Sequence, residues 1–365
     1  MPFVPTVLRK SIKNQQIVGC DCCNNQVLYV LALWGIKVNP AERNRIVKTI
    51  ITVLAAVVLS IVAGCNKPLS VNFQKDQPLR YEFTSSRDIE IDWNQQKDGV
   101  EAGRNKTEKI SESMDMTVVY TPIGTDANGF TIIKADCLSV QARRNPDKLR
   151  QQDAVTHFAG RTFTLTVDRT GKMRDASQLG NLIREVGKQA FRQGSKQGRI
   201  KEPDMINDFV ASQWFLWDSI SSLGENAKEP SVGQSWKSKL SVTTPMVSRE
   251  GRDVVYTLGE IRQTKKGAIA VIRSSYSLAK SVPNSWPMPY SGSFQMSGTF
   301  GFLRSYNYKG LQGEGEELFN IDTGRTEQYN QTYKLEADGS LPMAVGTKPM
   351  ITITQKLSMK LVENR

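Results

Sequence analysis

The stretch Leu79-Arg80-Tyr81-Glu82-Phe83-Thr84 alternates apolar and polar side chains along its whole length. The same alternation recurs at residues 89–93, at residues 163–168 and in the final segment, residues 351–361. A period of two buries one face of a strand and leaves the other in water, which is typical of antiparallel sheets. The sequence therefore predicts a mainly β (α+β) fold, built as an antiparallel curved sheet or half-barrel.

Turn residues separate these runs. Asn-Gly and Asp-Gly pairs, and Gly that follows Asp after one or two residues, favour the tight turns that join neighbouring antiparallel strands. We therefore expect a series of hairpins, with turns at Asp98-Gly99, Ala127-Asn128-Gly129, Asp168-Arg169-Thr170-Gly171, Asp322-Thr323-Gly324 and Asp338-Gly339.

The middle of the chain has apolar residues at helical spacing instead. One predicted helix is capped by Asp175 and runs to Gly194, and a second opens at Glu202-Pro203 and closes at Gly224. Both have an apolar stripe that can face a core. The sequence therefore predicts a central helical pair over residues 176–224.

The regions on either side of the helical pair share a pattern. Val118-Val119-Tyr120-Thr121 matches Val254-Val255-Tyr256-Thr257, and residues 163–168 resemble residues 318–322, in the same order. This similarity predicts a duplicated antiparallel β-module, unless it is chance similarity between hairpins of common composition. The boundaries we expect are 79–175 for the first β-module and 230–365 for the second.

Composition narrows the function. The 365 residues carry 48 Lys and Arg against 36 Asp and Glu, a net charge of +12, and contain one histidine, His157. A single histidine leaves little basis for an imidazole metal site or a catalytic triad, and no nucleotide-binding or hydrolase motif occurs. The acidic pair Glu314 and Glu316 is best interpreted as solvated. We therefore expect no catalytic residue, no cofactor and no metal site.

A targeting signal lies near the beginning of the chain. The apolar run of residues 50–63 follows basic residues and is short for a hydrocarbon core about 30 Å thick, but it suits a signal peptide. Its ending, Val62-Ala63-Gly64-Cys65, resembles the lipobox of bacterial lipoprotein precursors. The resemblance implies a signal peptide at residues 43–64, cleavage between Gly64 and Cys65, and a lipidated tether at residues 65–78. A short membrane anchor with an incidental cysteine is the alternative.

The same resemblance suggests a location. Asn66, rather than the aspartate that retains many such proteins at the inner membrane, follows the cysteine, so we expect a periplasm-facing protein at the outer membrane. Residues 1–42 precede the signal and are interpreted as a doubtful extension, with the true translation start near residue 40. Cys137 has no cysteine partner in the exported part, and we expect it to be a small buried residue.

The exported part also resembles a group of uncharacterised β-rich bacterial lipoproteins of unknown function. The resemblance rests on the strand that ends in an Asp-x-x-Gly turn at Asp168 and on Val232-Gly233-Gln234-Ser235-Trp236, which opens the second half. It covers most of residues 75–362. These proteins carry no assigned activity, so the resemblance implies no catalytic residues.

Aromatic residues are the best candidates for binding. Trp214, Trp217 and Leu223 on the second helix, with Trp286 in the loop of residues 285–290, could line a ligand pocket or could be core. Our first hypothesis is a non-enzymatic cell-envelope lipoprotein that binds an envelope protein or an apolar ligand. The alternative, which resembles lipoprotein-sorting carriers, is a carrier of an apolar ligand or lipid in a half-barrel cavity. An envelope hydrolase is the third hypothesis, and export argues against a nucleic-acid partner.

Overall fold

The computed structural model of this chain describes residues 68–93, 107–145, 152–192, 198–224, 229–282, 286–341 and 348–362. The chain divides into two units, Met1–Asn66 and Lys67–Arg365, and every described residue belongs to the second unit. The predicted signal peptide, its cleavage site and Cys65 lie outside the described residues. In the described part, no helix is both long enough and apolar enough to cross a membrane.

Antiparallel strands dominate the described residues, and eleven of them form one sheet. A separate pair of two-residue strands, β6 and β10, is parallel. The strands are β1 (Leu79–Asp92), β2 (Thr107–Thr125), β3 (Thr131–Asn145), β4 (Thr162–Val167), β5 (Met173–Asp175), β6 (Ile200–Lys201), β7 (Ser235–Val242), β8 (Glu250–Thr264), β9 (Gly267–Leu278), β10 (Gln295–Met296), β11 (Ser305–Asn320), β12 (Arg325–Ser340) and β13 (Met350–Val362).

The order of the strands shows how the halves are joined. It runs β5-β4-β3-β2-β1-β13-β12-β11-β9-β8-β7, so the first half winds outward from the centre and the second half winds back to it. At the centre, β1 pairs with β13 and places Ile89 opposite Ile353. The prediction of a mainly β, antiparallel fold is confirmed, and the two β-modules are halves of one sheet.

The two halves share an irregularity. Ile123 is unpaired between Pro122 and Gly124 of β2, and Gly259 is unpaired between Leu258 and Glu260 of β8. These bulges are separated by the same number of residues as Val118 and Val254. Because a bulge marks a specific position in a strand, this match supports a duplicated module.

Three helices pack on the concave face of the sheet, and together they are called the helical insert: α1 (Ser177–Gln189), α2 (Ile206–Phe215) and α3 (Asp218–Ser221). Both predicted helices differ from the observed ones. The first helix ends at Gln189 because the chain then turns, and Phe191 bridges to Lys201. The second is two helices, because Trp217 adopts φ −130° and interrupts the helical backbone.

Two predicted strand boundaries are also wrong. Residues 79–84 and 89–92 belong to the single strand β1, since Ser85 and Arg87 between them face the core and are each 1% exposed. The expected turn at Asp338-Gly339 lies inside β12, where Gly339 pairs with Tyr306 of β11. In both places, a local polar or glycine signal gave way to tertiary packing.

The core fills the space between the sheet and the helical insert. Phe209 of α2 stacks on Phe158 of a 3-10 helix (Ala154–Phe158) with ring centroids 3.9 Å apart. Both side chains are fully buried, and each such burial contributes about 1.5–3 kcal/mol. Cys137 is free and buried as expected, and burial raises the pKa of its thiol to about 12.

The sheet is strongly curved but stays open. In a flat sheet of eleven strands, with neighbours ~4.8 Å apart, the two edge strands would lie ~48 Å apart. Residues of both edge strands, β5 and β7, nevertheless line one cleft. The sheet therefore curls around the helical insert until its edges approach each other.

Candidate functional site

The cleft between the two edges of the sheet has a volume of about 570 Å³, and we call it the edge cleft. Its walls are residues 171–176, in and on either side of β5, and residues 237–241 of β7. The helical insert, its flanking residues and a loop close its base with Gln213, Trp214, Trp217, Asp218, Ser221, Ser222, Gly224 and Trp286.

The edge cleft runs along the strands themselves. Five consecutive residues of β7 line it, although side chains along a strand alternate between the two faces of a sheet. The cleft therefore touches the free edge of β7 rather than one of its faces. Among the described residues, residues 236–242 make no backbone hydrogen bond outside the β7–β8 ladder.

Three of the four predicted pocket residues meet at this cleft. Trp214 is half-buried and lies 6.0 Å from Trp286, measured between ring centroids. Trp217 is 4% exposed and packs edge-on against Phe73 at 5.3 Å, so it belongs to the core as well as to the cleft. Leu223 is buried and does not line the cleft. Ligand binding by these residues stays a prediction.

The aromatic side chains in the loop of residues 285–290 are buried and are not exposed to a protein partner. Its Trp286 and Tyr290 are 4% and 8% exposed, and Trp286 packs against Phe215 at 6.3 Å. The described part of this loop therefore contributes to the core and to the cleft wall.

The rim of the edge cleft is basic. Arg174 pairs with Asp168 at 2.6 Å, and Lys239 lies 3.6 Å from Asp253. The rim has four cations in all: Lys172 and Arg174 from one edge, and Lys237 and Lys239 from the other. Within the described ranges, no carboxylate lies at salt-bridge distance from Lys172 or Lys237.

The acidic residue at the base of the cleft is engaged with the sheet. Asp218 accepts hydrogen bonds from the hydroxyls of Ser238 at 3.0 Å and Tyr256 at 2.7 Å. Desolvation by the surrounding protein raises the pKa of the Asp218 carboxyl. Tyr120, the repeat equivalent of Tyr256, similarly donates to Gln213 at 2.6 Å. The equivalent tyrosines thus fasten the helical insert to both halves of the sheet.

One strand behind the cleft wall lies an arginine that the sequence analysis did not identify. Arg252 of β8 pairs across the strands with Leu240, which lines the cleft. Its side chain is fully buried and donates one hydrogen bond to Gln331 at 2.7 Å, and its Nε and Nη1 have no partner among the described residues. Three rings surround the guanidinium at 4.4–5.1 Å from their centroids: Tyr276, Phe215 and Tyr333.

A second buried arginine is fully paired. Arg87 of β1 binds Glu112 of β2 through Nε and Asp208 of α2 at 2.7 Å through Nη1. Arg144 of β3 also pairs with Glu112. The side chains of Arg87, Glu112 and Asp208 are at most 2% exposed, so this cluster anchors α2 on the sheet and does not meet solvent.

The cluster continues beyond α2. Asp204 binds the Lys201 ammonium at 2.8 Å and accepts the hydroxyl of Tyr290. Nearby, Asp153 accepts hydrogen bonds from the backbone N–H groups of Val155 and Met205. Burial and the negative charge of Asp204 raise the pKa of Asp153 to about 7. These acids belong to a structural network.

The other sequence candidates lie apart from the cleft. Glu314 and Glu316 lie within β11, and their side chains are exposed to solvent as expected. His157 is exposed on the 3-10 helix. No group of three or more potential metal ligands occurs in the part of the chain that the structure describes.

The comparisons with known proteins do not identify a family for this chain. The sequence matches no protein-family model and none of the curated proteins. A lipovitellin structure described for its lipid–protein interactions is 8% identical, with a TM-score of 0.38 over 80% of this chain and 26% of that chain. The chain thus spans about a quarter of the length of the lipovitellin chain. A double mutant of the Rh. blastica porin is 10% identical, with a TM-score of 0.16 over 78% of this chain and 99% of that chain.

Proposed function

We propose that this protein is a non-enzymatic binding module of the cell envelope, tethered through a lipid on Cys65 and facing the periplasm. The edge cleft is the place where it holds an apolar or amphiphilic ligand. The proposal extends to a carrier role for a lipid if the ligand is released to another membrane or protein.

The observation that carries the proposal is the meeting of three tryptophans at a gap in the sheet. Trp214, Trp217 and Trp286 come from different segments, yet they line one cleft. Its volume falls within the roughly 300–1,000 Å³ of small-molecule sites. The half-buried indole of Trp214 at the base of the cleft gains free energy when an apolar group covers it.

The carboxylates support binding rather than catalysis. Glu112 and Asp208 are buried and paired with Arg87. In the cleft, Asp218 accepts two hydroxyl hydrogen bonds, and Asp175 accepts from the backbone N–H and hydroxyl of Ser177. These acids have structural partners, so we assign them structural roles.

The test is a titration of the soluble unit that starts at Lys67, since the described sheet and core are complete within Lys67–Arg365. The probe is monolauroylglycerol, an uncharged single-chain amphiphile, and the signal is tryptophan fluorescence. We expect saturable binding of one equivalent. Trp214→Ala should weaken it about tenfold or more, because loss of a large apolar contact removes about 1.5–3 kcal/mol.

The control is Phe302→Ala, which removes an exposed aromatic side chain that does not line the cleft. It should bind as the wild type does. Native mass spectrometry of protein expressed to the periplasm should also show a releasable mass of lipid size. The absence of saturable binding together with a clean apo mass would overturn the proposal.

A further inference from the structure

We infer that the ligand of the edge cleft is an anionic amphiphile, with an apolar chain on the tryptophans and one carboxylate or phosphate group at the basic rim. This inference rests on the proposed function and adds the chemical class of the ligand.

The first observation is the origin of the rim charges. Lysines on an edge strand ordinarily keep sheets from pairing with one another. Here, however, basic residues of both edges converge on the same cavity, because the curvature of the sheet brings Lys172 and Lys237 to one cleft. Neither lysine has a carboxylate partner at salt-bridge distance among the described residues, so both are available to a ligand.

The second observation is the balance of charge in the lining. Four basic residues and two acidic residues, Asp175 and Asp218, line the cleft within the described ranges. Asp218 is engaged by Ser238 and Tyr256, and Asp175 by Ser177. A cleft with low-dielectric walls and an excess of one sign of charge concentrates ligands of the opposite sign.

The third observation is Arg252 behind the wall. Val118 and Val254 are equivalent in the two halves, so the position of Arg252 corresponds to Met116, which is also buried. The second half thus carries a buried cation where the first half carries an apolar side chain. A buried cation without a carboxylate partner costs stability, and its potential favours an anion in the adjacent cleft.

The apolar part of the ligand follows from the base of the cleft. Trp214 is half-buried beside Trp286, and both lie at the base of the same cavity as the basic rim. A free anion would leave the exposed part of Trp214 uncovered, and an uncharged chain would leave the lysines without a partner. A fatty acid and a single-chain phospholipid each have an apolar chain that can cover the tryptophan and an anionic group that can pair with the lysines.

The experiment compares four probes on the unit Lys67–Arg365: dodecanoate, dodecyl phosphate, uncharged monolauroylglycerol and inorganic phosphate. We expect the two anionic chains to bind about tenfold or more tightly than the neutral chain, which corresponds to about 1.4 kcal/mol. Their affinity should fall as salt rises. Inorganic phosphate should not saturate the protein, and the ratio of the two anionic probes tells a carboxylate ligand from a phosphate ligand.

Two double variants with the same loss of charge test the role of the rim. Lys172→Gln with Lys237→Gln should remove the preference for anionic chains and leave binding of the neutral chain unchanged. Lys356→Gln with Lys360→Gln, on exposed positions of β13 outside the cleft, should keep the preference. Arg252→Met should reduce the preference in a protein with unchanged circular dichroism.

The outcomes separate the two proposals. If neutral and anionic chains bind equally and the rim variant changes nothing, the inference is wrong and the proposed function stands. If inorganic phosphate alone saturates the site, the ligand is a free anion, and the inference of an anionic amphiphile is wrong. If no chain binds, the proposed function and the inference fail together.

Discussion

At the scale of single residues, Arg87 and Arg252 are both fully buried on the concave face of the sheet but in opposite surroundings. Arg87 lies between the carboxylates of Glu112 and Asp208. Arg252 has one amide partner, Gln331, and lies among aromatic rings that attract a cation through their faces. Removal of a charge should therefore have different consequences at the two positions.

We expect Arg87→Met to lower the free energy of unfolding by about 3–5 kcal/mol, because it leaves the buried carboxylate of Asp208 without its cation and removes one of the two cations of Glu112. Arg252→Met should change stability by less than about 1 kcal/mol or raise it, since it removes a buried charge that forms no salt bridge with the described residues. Urea unfolding of the two variants measures both effects. Equal losses would show that the aromatic rings hold Arg252 as tightly as the carboxylates hold Arg87.

Cys65 lies outside the described residues, and its lipidation is tested in cells. Cys65→Ser should leave the precursor uncleaved and without lipid, because the lipobox needs the thiol. Cys137→Ala, at the buried free cysteine, is the matched control and should be processed as the wild type is. Fractionation and intact mass measure the outcome. A Cys65→Ser protein in membranes at the wild-type mass would contradict the lipobox interpretation.

At the scale of elements, alternating polarity in the sequence predicts which face of a strand is buried, but it does not predict which distant residues make contact. In β1, Arg87 has the same strand parity as Tyr81 and Ile89, which signals a buried face. Its partner Asp208 is 121 residues away, and no local pattern connects the two. The edge cleft was equally hidden, because it exists only once the curvature brings β5 to β7.

The buried carboxyl of Glu317 in β11 should make the stability of the fold depend on pH. It lies on the concave face beneath the helical insert and accepts a hydrogen bond from Thr326 at 2.6 Å. Burial and the neighbouring charge of Asp218 raise the pKa of Glu317 to about 7, above about 4.3 in an unfolded chain. Because the folded state holds this proton more tightly, the contribution to stability is full below about pH 4.3 and is lost as pH rises towards 7.

Glu317→Gln should remove this dependence, since glutamine is neutral at every pH and keeps an oxygen for Thr326. We expect the variant to match the wild type near pH 4 and to exceed it at pH 8 by on the order of 2–4 kcal/mol. Urea unfolding between pH 4 and pH 8 measures the difference. Glu316→Gln, at the exposed neighbour, should leave the wild-type profile unchanged. A constant difference between Glu317→Gln and the wild type at all pH values would contradict the raised pKa.

At the scale of the whole molecule, the first and last strands of the sheet form its centre. The pairing of β1 with β13 brings together residues such as Ser85 and Gln355, which are 270 residues apart in the chain. Closing so long a loop costs conformational entropy before the contact forms. The sheet is therefore held at its middle by its least local contact.

The strand order allows this cost to be reduced. If Val362 is joined to Pro68 by a flexible linker of about twelve residues and the chain is opened between Gly224 and Glu229, the eleven strands follow one another in chain order from β7 to β5. The central loop shrinks to about 35 residues, which lowers its closure cost by about 2 kcal/mol. We expect the permuted chain to keep the circular dichroism of the unit Lys67–Arg365 and to refold faster in stopped-flow experiments. Slower refolding, or unprotected amides of β1 and β13 in hydrogen exchange, would show that the central pairing depends on the natural connection through the helical insert.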